Sequence, residues 1–316
     1  MDSKGMIDSI VSNVGKVIIG KDDTIKLVVT SMIAGGHVLL EDAPGTGKTV
    51  LAKSLAKSID ISYNRIQFTP DLLPSDITGL NVYQMNKGEF VFNPGPVFCN
   101  ILLADEINRA TPRTQAGLLE CMEERQVTLD GVTRKLSEPF FVIATQNPIE
   151  TSGTFPLPEA QLDRFIMKLS VGMPDVDQEI AIMERFEKGT VSVLDNLSAV
   201  ASTEDIMELR NQSMNVSVHK TLKGYIANLV AATRSRDDIL SGVSPRGTLA
   251  LYRCAQVYAM SEGRDYVVPE DIKKLAVPVL AHRIVMTRGF GASSGAAAAI
   301  ESILNQIPVP TEEFNK

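Results

Sequence analysis

Short aliphatic runs alternate with helically spaced apolar residues from the N-terminus to about residue 185, a pattern that predicts an α/β fold on a parallel sheet. HVLLE (37–41) reads as a buried strand. A glycine-rich turn follows, then TVLAKSLAKSI (49–59), whose apolar positions recur every three or four residues as in an amphipathic helix. RIQF (65–68), NILLAD (100–105), FFVIATQ (140–146) and FIMKLSV (165–171) supply four further strands, five in all for one sheet. Two segments break the rhythm and read as β-hairpins: NVYQMNKGEFVFNPGP (81–96), turning about Asn86-Lys87-Gly88, and VTLDGVTRKL (127–136), turning on Asp130-Gly131. Pattern alone does not separate a working element from surface decoration here.

Beyond Pro174 the strand signals fade. Ser202 with Asp205 forms a capping box, Pro269 opens PEDIKKLAVPVLAHRI, and GASSGAAAAIESIL (291–304) is helical. These features predict an α/β domain over 1–185 followed by a smaller all-helical domain over 186–316, with IPVPTEEFNK as a loose tail.

Composition narrows the class. The 316 residues are 44% hydrophobic, enough for two folded domains. No apolar run reaches the roughly 18 to 20 residues of a membrane span, and MDSKGMIDSIVSNVGK lacks the basic-then-apolar order of a signal peptide, so the cytoplasm is the expected compartment. A formal net charge of -7 argues against a dedicated nucleic-acid binder, although a ring can hide a basic pore inside an acidic exterior. Cys99, Cys121 and Cys254 are too scattered for a disulfide framework or a zinc site and read as small core hydrophobes; His37, His219 and His282 lack metal-ligand spacing.

The chemistry is concentrated in EDAPGTGKT (41–49). It fits the phosphate-binding pattern G-x-x-x-x-G-K-[ST] except at its first position, where Asp42 replaces glycine. Such a loop turns backbone N–H groups onto phosphate oxygens at the start of a helix. Gly45 and Gly47 stand where backbone approaches phosphate most closely, Lys48 reaches the β and γ phosphates, and Thr49 offers its hydroxyl to Mg²⁺. Asp tolerates positive φ, so Asp42 is expected to cost a little strain and to point its carboxylate away from the nucleotide.

About 57 residues after Lys48, ILLADEINRA (101–110) delivers Asp105 and Glu106 to the carboxyl end of a buried strand. Asp105 can hold Mg²⁺ through water, and Glu106 can orient and polarise an attacking water. Asn147, at the end of FFVIATQNP, either hydrogen-bonds that water or the γ phosphate, or simply shapes the turn before Pro148.

These residues resemble the AAA+ ATPases, and more narrowly the MoxR family, over nearly the whole chain. APGTGKT with the following Val50 is similar to Walker A, which adds Pro44, Thr46 and Val50 to the nucleotide contacts. LLADEINRA is similar to Walker B, and ATQNP to sensor 1. LPEAQLDRF (157–165) resembles the segment carrying the arginine finger, which maps to Arg164, and SPRGTLAL (244–251) resembles sensor 2, with Arg246 as its basic residue. MoxR members often carry Asp at the equivalent of position 42.

The resemblance implies several further properties. VIIGKDD (17–23) falls where AAA+ proteins contact adenine, assigning Val17, Ile18, Ile19 and Gly20 there. The two hairpins fall at the helix-2 insert and the pre-sensor-1 hairpin, both facing a ring's pore. Arg164 would act on a neighbour's nucleotide, and Arg246 would reach the γ phosphate of its own subunit. The implied protein is an ATP- and Mg²⁺-dependent hexameric ring that remodels or matures a protein client, with a separate von Willebrand factor A domain protein as partner. Competing readings are an MCM-like translocase on nucleic acid, opposed by the sparse basic residues of the hairpins (Lys87, Arg134, Lys135), and a nucleotide-gated scaffold with negligible hydrolysis.

Overall fold

The structure, a computed structural model, describes residues 2–86, 88–148, 153–187, 194–287 and 292–310. Lys87 and the end of the expected loose tail, 311–316, lie outside the described residues.

The chain opens with α1 (Ser3–Gly15), capped by the Asp2 carboxylate accepting from the Gly5 amide at 2.9 Å, and α2 (Asp22–Ile33). Then come β1 (Val38–Glu41), α3 (Lys48–Ile59), β2 (Tyr63–Gln67) and the short α4 (Pro74–Thr78). The first hairpin, β3 (Gly79–Gln84) with β4 (Glu89–Pro94), leads to β5 (Ile101–Asp105) and α5 (Pro112–Glu124). The second, β6 (Gln126–Leu129) with β7 (Val132–Lys135), leads to β8 (Phe141–Gln146), α6 (Glu159–Leu162) and β9 (Met167–Leu169). The remainder is α7 (Val176–Glu187), α8 (Thr203–Ser213), α9 (Lys220–Arg234), β10 (Ile239–Ser241), α10 (Pro245–Ser261), α11 (Pro269–Leu280), β11 (Val285–Met286) and α12 (Ala292–Gln306).

The five-stranded sheet has the order β2-β5-β8-β1-β9, with every neighbouring pair parallel. Both its faces are covered, as the continuous apolar runs require. Side chains of one strand divide by parity: Ile101 and Leu103 of β5 enter the larger core with α1, α2 and α3, while Leu102 and Ala104 enter the smaller core with α5. Phe141 and Ile143 of β8 divide from Val142 and Ala144 in the same way. The larger core runs on without a break into the C-terminal helices through Leu222, Tyr225, Leu251 and Ile272.

Two details differ from the sequence pattern. The last strand of the sheet spans 167–169 rather than 165–171, because the Val171 and Gly172 amides donate to the Asp42 carboxylate instead of to a neighbouring strand. The helical C-terminal region also carries a two-stranded antiparallel ribbon of β10 and β11, pairing Ile239 with Met286, too short to register as a periodic signal. Cys99, Cys121 and Cys254 are all buried thiols, and burial pushes each up to about 12.

Candidate active site

β1 ends beside β8 and β9, and the chain then turns through Pro44–Gly47 into α3. Gly45 and Gly47 have φ of 87° and 85°, left-handed values that side chains resist, and Gly47 is the N-cap of the 12-residue α3. The first-turn amides of that helix are therefore free of intrahelical partners, an arrangement that favours an anion. Lys48 Nζ donates to the carbonyls of Asp42 at 2.8 Å and Ala43 at 3.3 Å, which holds the ammonium across the mouth of the loop. Pro44, Gly45, Thr46, Gly47, Lys48, Thr49 and Val50 line one cavity together with Asp105, Glu106 and Asn147.

Asp42 does turn its carboxylate away, but not through positive φ, which the residue does not adopt. Instead it is a connector. Oδ1 accepts from Ser170 Oγ at 2.5 Å and Gly172 N at 3.0 Å, and Oδ2 accepts from Val171 N at 2.8 Å. Three donors satisfy a buried carboxylate and tie the exit of β1 to the exit of β9.

The acid pair is set by residues outside the acidic motif itself. Glu106 has φ 57° and ψ 49°, a left-handed backbone costing about 1 kcal/mol or more that turns its side chain off the strand end. Its amide donates to Thr145 Oγ1 at 2.8 Å, and that hydroxyl donates to Asp105 Oδ1 at 2.6 Å, so fully buried Thr145 on β8 locks the two acids to one relay. From β2, Arg65 reaches Asp105 Oδ2 with Nη2 at 2.7 Å, and Gln67 Nε2 donates to Glu106 Oε2 at 2.6 Å. Arg109 Nε lies 3.0 Å from the same Glu106 oxygen. Register pairs Arg65 with Leu103 and Gln67 with Asp105 across adjacent strands, a relation that no local spacing reveals.

Val17, Ile18, Ile19 and Gly20 form the turn between α1 and α2, next to the loop rather than in its cavity. A Cβ placed on Gly47 would lie 3.5 Å from Ile18 Cδ1. Ile19 and Gly20 face a neighbouring depression with Lys16 and Arg185, and Arg185 Nη1 donates to the Val17 carbonyl at 3.1 Å.

Arg164 and Arg246 are elsewhere. Both line a second cavity, with Glu123, Arg125, Asp163 and His37 among its walls, which shares no residue with the phosphate cavity. Arg164 Nη1 donates to the Leu119 carbonyl at 2.8 Å. Arg246 Nη2 donates to Glu123 Oε1 at 2.5 Å, and Arg164 Nη2 lies 3.2 Å from Glu123 Oε2. In this structure Arg246 therefore stands apart from the phosphate cavity: the start of α10 is fastened to Glu123 of α5 and to Asp163 after α6, where Ser244 Oγ donates to Asp163 Oδ2 at 2.9 Å. Asp163 also takes Arg283 Nε at 2.7 Å, and Arg283 donates further to the Phe165 carbonyl at 2.7 Å. His282-Arg283 thus anchors the helical region to the segment bearing Arg164. His37, fully enclosed, accepts from Val142 N at Nδ1 (3.0 Å) and faces the Met122 carbonyl with Nε2 (3.1 Å); burial lowers its pKa to about 4.

Comparison with known proteins agrees with this geometry. Residues 37–167 match the ATPase family associated with various cellular activities (AAA), and residues 231–303 match the AAA lid domain, which makes the class an AAA+ ATPase. The chain is 45% identical to YeaC of Bacillus subtilis over 98% of this chain and 97% of that one. It is 40% identical to Chaperone MoxR1 of Mycobacterium tuberculosis over 89% and 76% of the two chains. A crystal structure of a Cytophaga hutchinsonii protein, provisionally described as an ATPase, superposes with a TM-score of 0.89 at 40% identity, covering 98% of this chain and 96% of that one. The chain belongs to the MoxR family of AAA+ ATPases.

Proposed function

We propose that the protein hydrolyses ATP at a site completed by a second copy of itself and uses the cycle to remodel or mature a protein client. The observation that carries this reading is the division of parts: phosphate cradle and acids in one cavity, both arginines in another. A guanidinium that cannot stabilise charge at its own loop is available to a neighbour's, a contribution of about 10³ to 10⁵ in rate. Arg246, lying with Arg164, acts on the same ligand. Such head-to-tail pairing closes into a ring where the rotation allows, and the resemblance to MoxR proteins supports a hexamer.

Within the cavity, Lys48 and the amides opening α3 bind the phosphates, and Asn147 orients water. Glu106 takes a proton from that water on its carboxylate. Thr49 and Asp105 are the residues that would hold Mg²⁺, whose charge offsets that of the phosphate oxygens. The α/β part, 1–185, carries these groups and the helical part, 186–316, serves as lid. Ile18 and its neighbours in the turn 17–20 flank the adenine side.

Three observations favour a polypeptide client over nucleic acid. The first hairpin carries open apolar side chains: Met85 is 92% exposed, Phe90 70% and Tyr83 51%. The two hairpins are joined into one platform, Asn81 Nδ2 donating to Asp130 Oδ2 at 2.6 Å and Arg134 lying 4.0 Å from the Phe92 ring centre. That contact occupies one of the hairpins' few cations. The resemblance to MoxR proteins supports a von Willebrand factor A domain protein as the separate partner. No described helix is long and apolar enough to cross a membrane, and we place the activity in the cytoplasm.

ATP turnover measured against protein concentration, with unfolded polypeptide or single-stranded DNA added in low salt, tests the reading. Turnover per subunit should rise with concentration and respond to polypeptide, with Phe90→Ala blunting the response. Stimulation by DNA alone would favour the translocase. Turnover no faster than that of Glu106→Gln would leave a nucleotide-gated scaffold.

A further inference from the structure

Arg164 follows α6 and Arg246 opens α10, yet one carboxylate holds both. Glu123 gives Oε1 to Arg246 at 2.5 Å and lies with Oε2 3.2 Å from Arg164. Five arginines line this cavity, Arg125, Arg164, Arg246, Arg253 and Arg283, against the carboxylates of Glu123 and Asp163 and, 3.8 Å from Arg125 Nη1, that of Glu138. Asp163 is committed to Arg283 and Ser244. Arg164 Nε is buried and makes no hydrogen bond, so the donor set of that side chain exceeds what Glu123 and the Leu119 carbonyl accept. The cavity has an excess of fixed donors and cations, the composition of an anion site.

Glu123 also has the properties of an occupant that can leave. Its side chain is 37% exposed, and exposed ion pairs hold only weakly. A phosphoryl group offers three oxygens and a larger charge to the same forks.

We propose that Glu123 is a positioning residue that stands in for a phosphoryl group: it pre-arranges Arg164 and Arg246 as a pair and is exchanged for terminal phosphoryl oxygens on an adjacent copy. This rests on the reading that the arginines act between subunits. It makes Glu123 a competitor of nucleoside triphosphate but not of diphosphate, which lacks the terminal group.

Sedimentation velocity in a Glu106→Gln background, with ATP or ADP, tests it. Adding Glu123→Gln should lower the protein concentration of half-assembly by about two- to tenfold in ATP, the range expected for one or two exposed ion pairs, and leave it unchanged in ADP. Equal shifts in both nucleotides, no shift, or weaker assembly in ATP would overturn the proposal; thermal unfolding of the variant checks that the fold is intact. Failure of the underlying reading looks different, since Arg164→Ala would then leave wild-type turnover undiminished.

Discussion

The phosphate cavity takes seven consecutive residues, Pro44 to Val50, and adds two from the end of β5 and one beyond β8. The arginine cavity takes its walls from five stretches of chain between Ala34 and Arg283. The first keeps its shape through backbone: left-handed glycines, a helix start and parallel strand ends. The second keeps its shape through side chains, and chiefly through Asp163, whose carboxylate joins core to helical region. A site of the first kind tolerates change around it. One of the second kind is lost with its connector, which makes it the natural place for a conformational signal to enter.

Removing that connector should have the largest effect. Asp163→Ala leaves Arg283, buried and otherwise bonded only to neutral groups such as the Phe165 carbonyl, without its counter-charge, and urea unfolding should report a loss of about 3 to 5 kcal/mol. A loss below about 1 kcal/mol would mean that the arginine cavity is framed by packing alone.

Acid attacks the same region next. His37 lines the arginine cavity with a pKa near 4, below the ordinary 6.5, so the fold favours its neutral form. That contribution is complete above about pH 6.5 and fades as pH falls through 4, for a total of about 3 kcal/mol. His282 is also held well below the usual value by burial and the adjacent Arg283, which adds to the slope in the same direction. Unfolding midpoints between pH 7 and pH 4 should fall, and His37→Gln should flatten the fall; equal slopes in variant and parent would remove His37 from the account.

The smallest effect sharpens the phosphate side. Asp42→Gly restores the standard loop pattern yet strips a partner from Ser170 Oγ and from the Val171 and Gly172 amides. Stability should drop by about 1 to 3 kcal/mol while nucleotide affinity changes little. A gain in stability would show that the carboxylate is merely tolerated there.

Legibility in the sequence follows the same division. The loop, the acids and Asn147 were readable because each sits at the end of an apolar run, and a strand end is a fixed address in a parallel sheet. The parity of Ile101 to Ala104 was implicit in the same run. Arg65, Gln67 and Thr145 carry no local mark: they matter because β2 and β8 flank β5, an adjacency set by sheet order. Glu123 lies in the ordinary helical stretch PRTQAGLLECMEE, and only the meeting of α5 with both the segment after α6 and the start of α10 gives it two arginines. The pairing of Arg246 with Glu123 was unreadable for the same reason, since a motif names a residue but not the face on which the fold places it.

Mixing two inactive variants tests the division of labour between copies most directly. Arg164→Ala keeps an intact phosphate cavity and Glu106→Gln keeps an intact arginine, so each alone should be nearly inert while equal amounts together regain ATP turnover at their shared interfaces. A mixture as inert as its components, or an Arg164→Ala protein that hydrolyses ATP as fast as the unmodified chain, would contradict it.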